Sequence, residues 1–246
     1  RTLELGYPRN DRLANSQAHG ERLRIHQANA RARLGIPRDN RVLLYAPTWR
    51  EHQRRLVDHL NVGKLGEALG PRWTILARGH SRDQLLGRYQ GAHVLDMTHH
   101  PDVNDLMIAA DVFITDYSSL MFDASVARVP IILFMPDLVE YREEERGFTF
   151  EIEEVRPGPI LATTKDVVQH LKQYEIEGYD ASWIREAGHS REVWHETFNR
   201  HEDGHASERV VDWLEEQGRI PATSSLVSPR LINDVVRAKT DAPEEP

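Results

Sequence analysis

The chain has 246 residues, a 39% hydrophobic fraction and a formal net charge of −8, the composition of a globular protein of one large or two small domains. Zero Cys excludes disulfides, thiol chemistry and Cys-based zinc sites, and no apolar run approaches the ~18 residues of a membrane helix. The acidic balance argues against a nucleic-acid partner, although Arg dominates residues 1–55 while Glu crowds 140–154, so a basic pocket for an anion remains compatible with it.

The first residue is Arg, and the chain reads as a piece of a longer protein. Residues 3–15 begin as a short extended piece broken at Gly6 and Pro8. Residues 16–34 carry Leu23, Ile25, Ala28, Ala30 and Leu34 among Arg and Gln, a solvent-facing helix ended by Gly35 and Pro37. Val42 to Ala46 is a strand, followed by Pro47-Thr48-Trp49-Arg50 as a loop. A helix fits 61–70. Trp73 to Ala77 is a strand with Arg78-Gly79-His80 at its end. Val94 to Asp96 is a short strand, and 101–110 a helix opened by Pro101 and Asp102.

Residues 111–136 read as strand, turn, helix and strand, which is a βαβ unit and hence a parallel sheet. Ser118 or Ser119 caps the helix, and Pro130 ends it. The turn places two hydroxyls and backbone N–H groups at a helix start, where an anion is favoured. Asp123, one turn on, would repel a phosphate but suits a sugar or glycerol hydroxyl. Ordinary capping with a solvated Asp123 fits the same spacing. Residues 136–160 form a long acidic loop without clean periodicity, a length uncommon unless functional. Helices follow over 164–174, 182–200 and 206–216, and 219–246 reads as a mobile tail.

Strands near 42–46, 73–77, 94–96, 112–115 and 131–134 alternate with helices. The fold class is therefore α/β, a doubly wound, mostly parallel, Rossmann-like sheet. Ligands of such sheets lie beyond the carboxyl ends of the strands, and three of those ends carry polar groups. No metal site is expected. His99 and His100 are adjacent and point apart, and Gly204 lies between His201 and His205.

Several motifs then converge, in chain order. They are Gly6-Tyr7-Pro8-Arg9-Asn10-Asp11, Tyr45-Ala46-Pro47-Thr48-Trp49-Arg50, and Thr115-Asp116-Tyr117-Ser118-Ser119 with Phe122-Asp123. Tyr141-Arg142, Arg146-Gly147-Phe148, Pro157-Gly158-Pro159 and Asp203-Gly204 with Ala206 to Val210 follow. Together they resemble the CDP-glycerol glycerophosphotransferase family, the teichoic acid polymerases and primases of bacterial cell walls.

The resemblance implies the donor-binding second domain of a GT-B fold over residues 1–218, with 1–15 as the interdomain crossover. The acceptor domain and the membrane-binding part fall outside this chain. It implies a CDP-glycerol or related CDP-polyol donor, no cofactor, and an anionic lipid-linked polymer as acceptor. The implied location is cytoplasmic, peripheral on the inner face of the membrane. Arg9 and Arg78 would supply cationic donors to the pyrophosphate, and Ser118 and Ser119 would hold phosphate. Pro47 and Thr48 would line the nucleotide, next to the Arg78-Gly79-His80 turn, and Asp123 would bind donor hydroxyls. Gly79 and His80 would also bind the donor, and His80 would hydrogen-bond the β-phosphate or the leaving phosphate and protonate the departing CMP. The bland alternative for Arg9 is an ion pair with Asp11, and for Thr48 simple turn closure. A nucleotide-sugar glycosyltransferase or epimerase of GT-B architecture is the competing function.

Overall fold

The computed structural model describes residues 2–16, 21–50, 55–56, 59–79, 89–144 and 147–221. His80 and most of the expected tail, from residue 222, lie outside them. The chain opens with a 3-10 turn, Pro8–Asn10, then α1 (Asp11–Ser16) and α2 (Glu21–Arg33). Strand β1 (Arg41–Tyr45) precedes a two-residue ribbon, β2 (Trp49–Arg50) with β3 (Arg55–Leu56). Then come α3 (Val62–Leu69), β4 (Trp73–Ala77), β5 (Val94–Asp96) and α4 (Val103–Ala109). The βαβ unit is β6 (Val112–Thr115), α5 (Leu120–Val126) and β7 (Ile131–Phe134). After it lie α6 (Leu138–Glu144), β8 (Ile160–Leu161) and α7 (Thr164–Glu177). The last helices are α8 (Ser182–Glu186), α9 (Gly188–Phe198) and α10 (Ala206–Glu216).

Six strands form one all-parallel sheet in the order β5-β4-β1-β6-β7-β8. Both faces are covered, as a parallel sheet requires. Val42, Leu44, Phe113 and Leu133 pack with Leu13, Ala30, Leu106, Met121 and Trp194 on one side. Leu43, Ile75, Ile114 and Ile132 pack with Leu65, Leu171 and Trp183 on the other. The apolar alternation along β1 therefore serves two cores. Crossovers leave β1 toward β4 on one side, while β6 sits on the other. The gap between the ends of β1 and β6 is the topological switch point, where such sheets bind ligands.

Three expectations are corrected. The stretch 136–160 holds a helix and the edge strand β8. Gly158 permits that strand's approach, because a Cβ there would stand 1.8 Å from the Ile131 carbonyl oxygen. Residues 8–16, beyond the expected break at Pro8, are helical in two short pieces, with Pro8 at the first position of the 3-10 turn. Of the expected 16–34 helix, Ser16 ends α1 and Glu21–Arg33 form α2, with 17–20 outside the described residues, and 182–200 is divided between α8 and α9.

Candidate functional site

Thr115 and Asp116 join the ends of β1 and β6. The Thr115 hydroxyl donates to the Ala46 carbonyl at 2.7 Å. The Asp116 carboxylate, buried, accepts from the backbone N–H of Thr48 at 2.8 Å and of Tyr117 at 2.6 Å. One side chain thus locks the loop after β1 to the turn after β6. Pro47 is buried and Thr48 is half-buried above this lock.

The turn itself departs from simple capping. Ser119 occupies the position before α5 with helical backbone, φ −60° and ψ −12°, and its hydroxyl makes no capping bond. Ser118 Oγ instead accepts from Leu120 N–H at 3.3 Å. Among the described residues the N–H groups of Ser118 and Ser119 have no acceptor. Ser119 is exposed. Tyr117 stacks face to face on Tyr141 of α6, with centroids 3.6 Å apart, and its hydroxyl donates to Asp137 at 2.9 Å. Phe148 covers both rings. The segment that reads as an acidic loop is therefore anchored on the turn by aromatic packing, at about 0.5–1.5 kcal/mol per pair.

On the other side of β1, Arg78 N–H donates to the Tyr45 carbonyl at 2.8 Å. The Arg78 side chain turns into the loop after β5, where Nη1 donates to the carbonyls of Met97 at 3.1 Å and His100 at 2.6 Å. Burial pulls its pKa down, and the nearby Asp102 carboxylate opposes that. Gly79 N–H donates to the Thr98 hydroxyl at 3.0 Å, which in turn donates to Asp96 at 2.6 Å. Part of the Arg78 guanidinium is thus committed to holding the loop.

Arg9 comes from the other end of the chain. Its Nη2 lies 3.0 Å from Asp123 Oδ1, with the arginine side chain 60% exposed and the aspartate 6%. The expected alternative partner, Asp11, is elsewhere. It accepts from Ala206 and Ser207 N–H at 2.8 and 2.7 Å, at the start of α10. Asp123 is therefore not a solvated helix residue. The clamp that carries Arg9 is built from residues 199–209. Arg209 donates to the Leu5 and His201 carbonyls and makes two bonds to Asp203, both 2.8 Å. Glu202 accepts from Tyr7 N–H at 3.0 Å. Burial raises the Glu202 pKa, and the Asp123 and Asp11 charges add to it against the bonds from Tyr7 and Asn10. Gly6, at φ 81°, allows this approach, since a Cβ would stand 2.6 Å from the His201 carbonyl oxygen.

The ends of β4, β1 and β6 are adjacent, so Arg78, Gly79, Pro47, Thr48, Ser118 and Ser119 line one edge of the sheet about 10 Å across. Arg9 and Asp123 stand one helical turn behind Ser119. The sequence shows Asp116 only as a member of the strand-end motif, without its role, and does not single out Glu202. An Asp after a strand and a Glu far from the site carry no local signal of their partners.

The model of the family described as CDP-Glycerol:Poly(glycerophosphate) glycerophosphotransferase matches residues 1–216. A teichoic acid poly(glycerol phosphate) polymerase of Bacillus subtilis (strain 168) is 34% identical over 219 residues, covering 85% of this chain and 28% of the relative. A teichoic acid glycerol-phosphate transferase of Staphylococcus aureus is 32% identical over 218 residues, covering 86% and 54%. The solved structure of the wall teichoic acid polymerase TagF matches with a TM-score of 0.71 at 30% identity, covering 87% of this chain and 51% of that one. A variant of the same polymerase soaked with CDPG matches with a TM-score of 0.70. The chain spans about half or less of the length of these relatives. With the match running through the strand-end turns and the clamp, the chain belongs to the CDP-glycerol:poly(glycerophosphate) glycerophosphotransferase family.

Proposed function

We propose that this chain is the donor-binding half of a transferase that moves glycerol phosphate, or another polyol phosphate, from a CDP-activated donor to a growing teichoic-acid-like or capsular phosphopolymer. The observation that carries the reading is the turn after β6. Two N–H groups without acceptors and the exposed Ser119 hydroxyl stand at the switch point of a Rossmann-type sheet. The donor pyrophosphate lies against this turn, with the nucleotide beside Pro47 and Thr48. Arg9 brings positive charge whose orientation Asp123 holds, and Arg78 brings its remaining N–H groups. Asp123 also offers Oδ2 to a donor hydroxyl.

In the reaction an acceptor hydroxyl oxygen bonds to the phosphorus bearing the glycerol, and the bond from that phosphorus to the CMP oxygen breaks. The hydroxyl proton goes to a base of the acceptor domain, and His80 gives a proton to the departing CMP. The acceptor is an anionic, lipid-linked polymer bound by the part of the protein outside this chain, on the cytoplasmic face of the membrane. Among the described residues no helix is long and apolar enough to cross a membrane. The reading includes no cofactor, no divalent metal for donor binding and no nucleic acid.

Half a cleft cannot hold both reactants, and most of the rate advantage of positioning needs both. The chain alone is therefore expected to bind CDP-glycerol without turning it over. The check is calorimetry with the donor, with and without EDTA, together with an assay of CMP release in the presence of acceptor. Steady CMP release by this chain, or donor affinity falling more than about tenfold with EDTA, contradicts the reading.

A further inference from the structure

The opposite end of the sheet carries a second polar site that the donor reading does not use. Ile131 opens β7 and Pro157 precedes β8, so both mark the amino ends of strands. Between them and the start of α9 lies a cavity of about 320 Å³, also lined by Arg128, Gly188, Arg191 and His195. That is roughly ten times the ~30 Å³ share of a water molecule. The space at Gly188 is open, as a Cβ there would meet nothing within 4 Å.

Two arginines face this space without carboxylate partners among the described residues. Arg128 follows α5 with φ 51°, a left-handed conformation uncommon for a side chain of this size. Its carbonyl accepts from Arg191 Nη2 at 3.2 Å. Among the described residues neither arginine forms an ion pair with a carboxylate. Glu192 and Glu196 line the exposed rim. The like charges act on one another. Burial lowers the Arg191 pKa and the Arg128 charge lowers it further, while Tyr179 opposes them. Burial and Arg128 likewise lower His195, against Glu196. An anion seated between the two guanidiniums would relieve that repulsion and accept their forked donors.

We propose that this cavity is an anion site for phosphoryl groups, held by Arg128 and Arg191 at the sheet end opposite the donor site. It rests on the cavity and its unpaired cations, not on the function proposed above. The shared ligand chemistry is a phosphate group, either as a free anion or as a phosphodiester within an anionic chain.

The test is an NMR titration of the 246-residue chain, following the amides of 188–196 and the His195 ring. The probes are inorganic phosphate, a short glycerol-phosphate oligomer at equal phosphate concentration, and sodium chloride at matched ionic strength. Saturable shifts with phosphate and not with chloride are expected. Arg128→Asn, which tolerates the left-handed backbone, should weaken binding at least about tenfold and leave CDP-glycerol affinity unchanged. Arg191→Lys keeps the charge, loses the fork and should weaken binding less. An oligomer that binds more tightly than phosphate, with a steeper salt dependence, identifies the chain as the source. Equal affinities identify the free anion. No saturable shift, or shifts unchanged in both variants, overturns the proposal, and a thermal melt of each variant separates loss of the site from loss of the fold.

Discussion

Thr48 and Arg9 reach the switch-point end of the sheet by different routes. Thr48 is held by a lock of few bonds to one buried group, in which the Asp116 carboxylate takes two N–H groups from two strand ends. Arg9 rides on a clamp of many bonds, some half-buried and some exposed, between residues 4–15 and 199–209. A buried hydrogen bond to a charged group is worth more, and its loss leaves the partner without water, whereas exposed ion pairs contribute little singly. The lock therefore sets geometry by itself. The clamp sets it by number, and ties Arg9 to the same segment that enters from the N-terminal side.

The sharpest way to break this contrast is Asp116→Ala. It strands the N–H groups of Thr48 and Tyr117, and at about 1–3 kcal/mol for each unsatisfied group it should cost roughly 3–4 kcal/mol by urea unfolding. A cost under about 1 kcal/mol would mean that water replaces the carboxylate and that the lock is loose. Asp11→Ala attacks the clamp at its strongest point, the start of α10. The expected loss is about 1–2 kcal/mol, as for other helix N-terminal acceptors, with hydrogen exchange accelerated at Ala206 and Ser207 and unchanged at Thr48. Equal acceleration at both places would show that lock and clamp are one unit.

Glu202→Gln sharpens the comparison through pH. Burial raises the Glu202 carboxyl in the folded chain, so its contribution is fully present below the unfolded value near 4.5 and is lost as pH rises through the raised value. Gln keeps an acceptor for Tyr7 N–H and removes the charge. The variant should match wild type below about pH 4.5 and melt at a higher temperature than wild type toward neutral pH, with the gap widening upward. A gap that widens toward acid contradicts the assignment. The smallest effect is that of salt. At 0.5 M, where screening reaches only about 4 Å, the exposed Asp203–Arg209 and Glu4–Arg200 pairs should loosen. Exchange at the clamp should then quicken by a few-fold relative to Tyr117.

These two regions also differ in how far the amino-acid sequence announces them. The runs Val42–Tyr45, Trp73–Ala77 and Val112–Thr115 are apolar and end in polar turns, so the sheet and its three strand ends could be read directly. Strand β8 is two residues beside Pro159, too short for any period, and α6 shows little more than Leu138 and Tyr141 among acids. The pairing of Arg9 with Asp123 spans 114 positions, and local spacing suggested Asp11 instead. Ser119 was legible as a turn residue. That its hydroxyl is spared from capping follows from the helical φ and ψ before α5, which composition does not encode.

The most direct measurement of the central claim is calorimetry of this chain with CDP-glycerol, CDP-ribitol, a UDP-sugar and a CMP-sugar, on wild type and Ser119→Ala. The account expects a CDP-polyol to bind best. It also expects Ser119→Ala to weaken that binding by about 1.5–3 kcal/mol, the loss of a hydrogen bond to a charged group, with the melting temperature unchanged. Tightest binding of a UDP-sugar, or a CDP-glycerol affinity indifferent to Ser119, would contradict the assignment of the switch-point turn as the donor site.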